Sequence, residues 1–337
     1  MDVLKSLACV TVITLTTAAN AAVRMEIASE SGPNANAQRE WLQLLAELGV
    51  SGVRIRGVNP GDEPRVEDLG SPDPPLPRVL GVLDRRGVLY LPGGRFTIRD
   101  RTKLAAYLAR LEGDGAASVT AERGAFGLTR DEFETVFRAL GEPIGVIDNQ
   151  QPLRSLVERA VSDARLPLEV DRRASPALSA RPATAKVDGL ARGTALAILL
   201  RAEGLLLHPE KPVGGTLRLR IASSYNNEAA PWPIGYEPDK SPGDTSPALM
   251  ESIPVEISGF TLAEALDAIE PRLGGTPIVF DAFALRRDAI DPAAVQVELA
   301  RTKTFYKRII DRLAFQARLK TELRVDEAGE PFIWLTR

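Results

Sequence analysis

An internal repeat constrains the fold of this chain more than any other feature of its sequence. Two stretches, 109 or 110 residues apart, each carry apolar residues at helical spacing and then a short apolar strand that ends in aspartate. The first stretch runs from Leu153 to Asp171 and the second from Leu262 to Asp281. Similarity at a fixed offset is the signature of one supersecondary unit used twice. The sequence therefore predicts two copies of a small module that mixes helices with strands.

The remaining sequence divides around these two copies. A length of 337 residues with 44% hydrophobic residues is ordinary for a globular protein with two or three cores. Each copy reads strand, helix, two strands, helix and two closing strands, so we predict an α+β fold with two βαββαββ modules. The predicted order is a signal peptide at 1–21, an N-terminal α/β unit at 22–113, a connecting helical segment at 114–142, the first repeat at 143–222, a linker rich in proline and aromatic residues at 223–252, and the second repeat at 253–337.

The first residues carry the pattern of an exported protein. A basic residue, Lys5, precedes a largely apolar run of nine residues at 7–15, and the small residues Ala19 and Ala21 follow at the spacing of a cleavage site. These are the three parts of a secretory signal peptide. A membrane anchor, the other interpretation, needs about 20 apolar residues. We therefore expect cleavage near Ala21, no transmembrane segment afterwards, and export to the periplasm or cell envelope, with release into the medium as the alternative.

Local patterns predict several elements. Alternating apolar residues at 23–27 and 53–56 predict strands on either side of a helix that carries Trp41. The apolar runs 79–83 and 88–91 flank the turn residues 84–87 and predict a hairpin, whereas the prolines between 60 and 77 argue against a helix or a central strand there. Two capping boxes predict where helices begin, Thr129 with Glu132 and Thr261 with Glu264.

Residue types needed for several kinds of chemistry are scarce. Cys9, inside the predicted signal peptide, is the only cysteine, and His208 is the only histidine. Zinc sites and nucleophilic triads combine several such side chains, so we predict no catalytic residue, no metal site and no cofactor. The net charge of −3 gives no reason to expect nucleic acid as a partner. The matched residues Asp171 and Asp281 leave two interpretations open, paired functional carboxylates or acceptors for backbone N–H groups at strand ends.

The second copy resembles a known family. Its opening, Ile253-Pro254-Val255-Glu256-Ile257-Ser258-Gly259-Phe260-Thr261-Leu262-Ala263-Glu264-Ala265-Leu266, is similar to the start of the short N-terminal domain shared by secretins and TonB-dependent receptors. The stretches 304–315 and 319–335 resemble the second half of that domain, and 143–222 resembles a more divergent copy. The resemblance implies a non-enzymatic periplasmic module that binds protein partners or copies of itself, often across exposed sheet edges. Because no barrel sequence follows the second copy, we expect this interaction function without a pore.

The linker supplies the candidate partner-binding residues, Tyr225, Trp232 and Tyr236. Aromatic side chains on a proline-stiffened loop lose little conformational entropy when they bind a partner. The other interpretation is that Trp232 and Tyr236 fold back over the sheet of one repeat. We expect an exported binding or assembly factor whose partner is an envelope protein or the protein itself. The alternatives are a secreted carboxylate-dependent hydrolase with accessory repeats and a self-associating structural envelope protein.

Overall fold

The computed structural model describes residues 23–30, 35–68, 77–148, 150–180, 186–225 and 227–337. The predicted signal peptide and most of the proline-rich stretch lie outside these residues. The fold is mixed α+β, with helices and several small sheets, as the sequence predicted at this coarse level. The described chain divides into two compact units, one up to Ala121 with Val213–Gly215, the other covering Glu122–Pro212 and Thr216–Arg337.

The first unit is built on one mixed sheet. Its elements are β1 (Arg24–Ser29), α1 (Ala35–Glu47), β2 (Arg54–Gly57), β3 (Arg65–Asp68), β4 (Pro77–Leu83), β5 (Leu89–Leu91), β6 (Gly94–Phe96), α2 (Arg101–Asp114) and α3 (Ala117–Thr120). Strand β1 lies between β2 and β4 and runs parallel to both, so α1 is the crossover that parallel strands require. Trp41 of α1 is fully buried and donates a hydrogen bond to the carbonyl of Gly87 at 3.0 Å.

Two predictions for this unit can be compared with the structure. The hairpin is confirmed: β4 and β5 pair antiparallel, and Asp84 accepts hydrogen bonds from the backbone N–H groups of Arg86 and Val88, both at 2.9 Å. The described part of the proline-rich stretch contains a short strand, β3, which pairs antiparallel with β4 and with no other described strand, so it is an edge strand rather than a central one. Strand β3 contains no proline itself, so every residue in it can donate to a ladder.

The second unit contains both predicted repeats and the linker. Its elements are α4 (Arg130–Leu140), α5 (Leu153–Asp163), β7 (Leu168–Val170), α6 (Arg192–Ala202), β8 (Leu205–Glu210), β9 (Arg218–Ser223), α7 (Pro242–Thr245), β10 (Ser252–Thr261), α8 (Leu262–Ile269), β11 (Ile278–Phe280), α9 (Ala282–Arg287), β12 (Gln296–Phe305), α10 (Tyr306–Gln316), β13 (Lys320–Val325) and β14 (Pro331–Thr336). We call 122–222 the first region and 253–337 the second region.

Each region has a three-stranded sheet with the same topology. The strand order is β7-β9-β8 in the first region and β11-β14-β13 in the second. In each sheet the central strand runs parallel to one neighbour and antiparallel to the other. The helices that precede the parallel neighbour and the antiparallel neighbour are α5 and α6 in the first region, and α8 and α10 in the second.

The two regions differ in a further pair of strands. In the second region, β10 and β12 form an antiparallel sheet of two ten-residue strands with two irregularities in register. At the same place in the first region the described residues hold a single bridge between Pro143 and Ala191. Pro143 cannot donate to a ladder, and Gly145, with φ of +78°, turns the chain away from an extended path. The element order βαββαββ, with α9 added, therefore occurs in the second region, whereas the described first region, with α4 at its start, reads ααβαββ.

Both predicted capping boxes are present. Thr129 N–H donates to Glu132 Oε2 at 2.9 Å and Glu132 N–H to Thr129 Oγ1 at 3.4 Å, at the start of α4. The corresponding distances between Thr261 and Glu264, at the start of α8, are 2.8 and 3.3 Å. Reciprocal bonds of this kind satisfy two of the N–H groups that every helix leaves free at its N-terminus.

Candidate functional site

The three aromatic residues of the linker lie in different environments. Tyr225 is 80% exposed, whereas Trp232 is only 2% exposed. Tyr236 is half-buried, and its hydroxyl is buried without a hydrogen-bond partner among the described residues. Trp232 and Tyr236 therefore fold back against the protein, and only Tyr225 presents its side chain to solvent. Asn226, beside it, lies outside the described residues.

Trp232 is buried because helix α4 and the segment before it supply aromatic partners. Its ring stacks on Phe126, with centroids 5.5 Å apart, and on Phe133, at 6.0 Å. Phe137, one turn further along α4, contacts Tyr236 at 5.6 Å. Pairs in this distance range stabilise a core beyond the area that they bury. Of the two interpretations of Trp232 and Tyr236, partner contact and folding back onto the protein, the structure has the second, and both side chains anchor the linker.

The linker also covers two strand edges with its backbone. The N–H of Trp232 donates to the carbonyl of Leu207 in β8 at 2.6 Å. Tyr236 and Val325 in β13 exchange two backbone hydrogen bonds, at 2.7 and 3.0 Å. A strand edge whose N–H and C=O groups are occupied cannot accept another strand. At these residues, the edges of β8 and β13 are therefore closed by the protein's own chain.

A buried glutamate connects the linker to both regions. Glu327, in the turn between β13 and β14, accepts a hydrogen bond from Trp232 Nε1 at 2.5 Å through its Oε1 atom. Its Oε2 atom accepts from Thr194 N–H at 3.1 Å and from Thr194 Oγ1 at 2.9 Å. Burial raises the pKa of Glu327 above its usual value, and these hydrogen bonds oppose that rise only in part.

This turn caps helix α6. Asp326 accepts a hydrogen bond from the N–H of Ala191 at 2.7 Å, and Glu327 accepts from Thr194, so two N–H groups at the start of α6 are satisfied. Both carboxylates lie at the helix end where negative charge is favoured. Gly193 makes the approach possible, because a Cβ atom there would lie 2.5 Å from Trp232 Nε1. The sequence pattern did not indicate this cap, since its two hydrogen bonds join residues 135 and 133 positions apart.

A cavity of about 430 Å³ lies between the linker, the first region and the second region. Its walls include Leu207, Trp232, Phe283 and Trp334, and the charged side chains that line it are Arg201, Arg324 and Asp281. A volume in this range can hold a small ligand. General acid–base catalysis by two carboxylates needs a second acid, and Asp281 is the only carboxylate in this lining. The geometry thus offers a recess with one carboxylate rather than a catalytic pair.

Asp281 is already held by neighbouring groups. Its carboxylate accepts hydrogen bonds from Arg201 Nη2 at 3.0 Å, from Ala284 N–H at 3.1 Å and from Thr336 Oγ1 at 2.9 Å. Burial would raise the pKa of Asp281, but these partners together outweigh burial and hold the pKa below its usual value. Asp171, the matching aspartate, pairs with Arg220 at 2.8 Å. Both aspartates therefore stabilise the end of a strand.

His208 is the only histidine of the sequence. The Nδ1 atom of His208 lies 2.7 Å from the carbonyl of Ala230, and its ring packs edge-on against Phe126. Among the described residues, no group of three or more histidine, cysteine, aspartate or glutamate side chains could hold a metal ion.

One sheet has no further described strand along either of its outer edges. Within the described chain, β10 and β12 pair only with each other. On the outer side of β12, the backbone of Glu298 is instead occupied by a side chain: its N–H donates to Gln316 Oε1, and its carbonyl accepts from Gln316 Nε2, both at 2.9 Å. This reciprocal pair imitates the hydrogen bonds that a neighbouring strand would make. Sequence reasoning pointed to sheet edges in general but not to this one.

Comparison with protein-family models, curated proteins and solved structures found no match to this chain. In the part of the chain that the structure describes, no helix combines the length and apolar character needed to cross a membrane. The resemblance to the short domain of secretins and TonB-dependent receptors stays a prediction. Function is therefore argued from the geometry of the second unit.

Proposed function

We propose that this protein is a non-enzymatic binding or assembly factor of the cell envelope, and that it binds protein partners through an open sheet edge. The observation that carries the proposal is the contrast between edges in the second unit. The linker hydrogen-bonds to Leu207 in β8 and Val325 in β13, whereas no described strand pairs with the outer sides of β10 and β12. A strand edge that no other strand covers is a template for another chain.

The topology supports the proposal that both regions are copies of one module. Their three-stranded sheets share strand order and direction. The second region also has the βαββαββ order that a short domain of the secretin and TonB-receptor kind implies. In that reading the first copy is a supporting module whose surfaces are covered, and the second copy is the module that binds.

The environment of the carboxylates favours binding over hydrolysis. Asp171 and Asp281 are engaged by arginines, and Glu327 caps a helix. A nucleophile or general base needs a free lone pair aimed at a substrate. In this structure, these three carboxylates serve stability instead.

Site-specific photocrosslinking tests the proposed function. A photoreactive amino acid is placed at Ala300, which is exposed on β12, and in a second variant at Tyr225, which is exposed in the linker. We expect position 300 to capture an envelope protein in living cells, and position 225 to capture little. Crosslinks from position 225 alone would show that the partner contacts the linker and not β12. Crosslinks only between copies of this protein would indicate self-association. Capture of nothing at either position would contradict a binding function.

Export is tested separately by cell fractionation and N-terminal sequencing of the mature protein. We expect the protein outside the cytoplasm, with a mature chain that begins near Ala22, because residues 1–21 have the three parts of a signal peptide. An intact N-terminus in the cytoplasmic fraction would rule out the envelope location. It would leave the edge-binding proposal to be judged on the crosslinks.

A further inference from the structure

The positive charge of the second region is concentrated in one stretch. Residues 301–320 contain seven lysines and arginines and one acidic residue, a net charge of +6 in a protein whose overall charge is −3. The corresponding stretch of the first region, 187–206, has two basic and two acidic residues. A local excess of one sign attracts partners of the opposite sign and raises their association rate.

Most of these cations are exposed and unpaired. No described carboxylate lies within ion-pair distance of six of the seven, and only Lys307 has such a partner, Asp311. The six are Arg301, Lys303, Arg308, Arg312, Arg318 and Lys320, and all of them are exposed. Charges without a partner in the folded chain can pair with a ligand without first breaking a salt bridge.

Two of these arginines line a shallow depression beside β12. Arg308 and Arg312 are one turn apart on α10, and Phe315 follows on the same exposed face. The depression, about 510 Å³, is lined by these three residues together with Leu299 of β12, Gln316 and Asp311, whose carboxylate is paired with Lys307. Phe315 is 79% exposed, which is unusual for an aromatic residue without a partner. The depression therefore combines positive charge with an apolar floor, next to the edge of a strand.

The same place carries the side chain that imitates a strand. Gln316 occupies the outward N–H and C=O groups of Glu298. A side-chain amide can leave these groups at little cost, because an incoming peptide backbone replaces both of its hydrogen bonds. The edge at Glu298 is therefore protected in the free protein and accessible to a peptide.

We propose that the groove between β12 and α10 binds an acidic, extended segment of a partner protein. The segment adds to the outer edge of β12 in place of Gln316, its carboxylates pair with Arg308 and Arg312, and an apolar side chain rests on Leu299 and Phe315. This inference rests on the proposed binding function and names the chemistry of its partner. A peptide fits better than a lipid headgroup or a nucleic acid, because only a peptide backbone offers donors and acceptors that match a strand edge.

The test uses fluorescently labelled peptides and the mature protein. A peptide that alternates glutamate and valine is compared with its lysine–valine counterpart and with the glutamate–valine peptide methylated on alternate backbone nitrogens. We expect the acidic peptide to bind at least about tenfold more tightly than the basic one, and affinity to fall as salt is raised. Equal binding of the methylated peptide would overturn strand addition, because methylation removes the donors that a ladder needs.

Variants locate the site. The double substitution Arg308→Glu with Arg312→Glu should weaken binding of the acidic peptide at least about tenfold. The matched control, Arg172→Glu with Arg173→Glu in the first region, makes the same change in net charge and should leave affinity within about twofold. Circular dichroism checks that both variants fold. An equal loss of peptide affinity in both double variants would mean that only the overall charge of the protein matters. It would contradict binding in the groove.

A third variant examines the displaced side chain. Gln316→Ala should bind the acidic peptide as tightly as the natural protein or more tightly, since nothing has to leave the edge. A tenfold loss would show that Gln316 holds the ligand directly, which contradicts strand addition. Competition by anionic phospholipid vesicles or by a single-stranded oligonucleotide that is stronger than competition by the peptide would also overturn the proposal. If the acidic peptide fails while photocrosslinks at position 300 persist, the partner chemistry is wrong and the binding function stands.

Discussion

Helices α6 and α10 stand at the same place in the two regions but have opposite environments. Every residue of α6 from Gly193 to Leu200 is buried, whereas α10 buries only one face, with Tyr306, Ile309, Ile310, Leu313 and Ala314. The difference comes from what surrounds them. Helix α4 packs on α6, and the β13–β14 turn caps it. One topology thus yields a covered helix and an exposed one, and the exposed copy is free to contact a partner.

The first prediction tests the close approach at the start of α6, where a large effect is expected. Gly193 and Lys307 are the second residues of α6 and α10. A Cβ at 193 would meet Trp232 Nε1 at 2.5 Å and Glu327 Cδ at 2.8 Å, so Gly193→Ala should lower the free energy of unfolding by about 3 kcal/mol. Lys307→Ala removes an ion pair with Asp311 and should cost about 0.5 kcal/mol. Urea unfolding followed by tryptophan fluorescence measures both, and equal costs would show that the two helix starts are equivalent.

The second prediction concerns the two matched aspartates. Asp281→Asn should cost about 2 kcal/mol, because it weakens the hold on Arg201 in a buried site. Asp171→Asn, in a half-exposed pair with Arg220, should cost about 0.5 kcal/mol. Because the folded-state pKa of Asp281 is lowered, its contribution is present above the usual aspartate pKa and is lost as the pH falls through the folded-state value. Acid unfolding of the two variants checks this, and an unchanged acid transition in Asp281→Asn would contradict it.

The third prediction concerns Glu327, whose contribution to stability changes with pH in the opposite direction to that of Asp281. The folded-state pKa of Glu327 is raised, so the folded protein binds more protons than the unfolded chain between the two pKa values. Its contribution is fully favourable below the unfolded-state pKa and declines as the pH rises through the folded-state value. Each pKa unit of difference is worth about 1.4 kcal/mol. Glu327→Gln should therefore flatten the decline in stability that begins above the usual glutamate pKa.

A control for this prediction keeps the carboxylate and removes one donor. Trp232→Phe deletes the hydrogen bond to Oε1 of Glu327, so the pKa of Glu327 should rise further and the decline with pH should become steeper. Denaturant midpoints measured across the pH range compare the three proteins. A steeper decline in Glu327→Gln than in the natural protein would reverse the assignment.

The smallest expected effect is on the exposed helix. Phe315→Ser should change the free energy of unfolding by less than about 0.5 kcal/mol, because Phe315 is 79% exposed. The same change at Leu199 of α6, which is fully buried, should cost more than about 3 kcal/mol. Thermal unfolding distinguishes the two. A large cost at Phe315 would mean that its ring is buried in solution and that the face of α10 is covered.

Local patterns in the sequence predicted local structure well. Both capping boxes and the hairpin at 84–87 depend on residues within a few positions of each other. The local sequence is therefore sufficient to predict them. The apolar run at 195–200 could also have indicated a helix buried on all sides. The contacts of Trp232 could not be predicted from the local sequence. Its partners, Phe126, Phe133 and Glu327, lie about a hundred residues away in either direction, and the pattern around a loop residue does not specify which surface it meets.

The basic stretch at 301–320 shows a limit of arguing from the net charge of the whole chain. Seven cations in twenty residues are plain in the sequence, but a net charge taken over the whole chain averages them against acids elsewhere. Only the structure shows that six of them have no carboxylate partner among the described residues and that Phe315 and the edge of β12 lie beside Arg308 and Arg312. A charge count in windows would have found the stretch, although not the groove.

The cap on α6 also has a consequence for how the protein is made. The acceptors for Ala191 and Thr194 lie 135 and 133 residues further along the chain. At a typical synthesis rate of about 5–20 residues per second, α6 leaves the ribosome several seconds before Asp326 and Glu327 exist. Until then, these two N–H groups can bond only to water. The first region is therefore expected to complete its fold only when the second region has been translated.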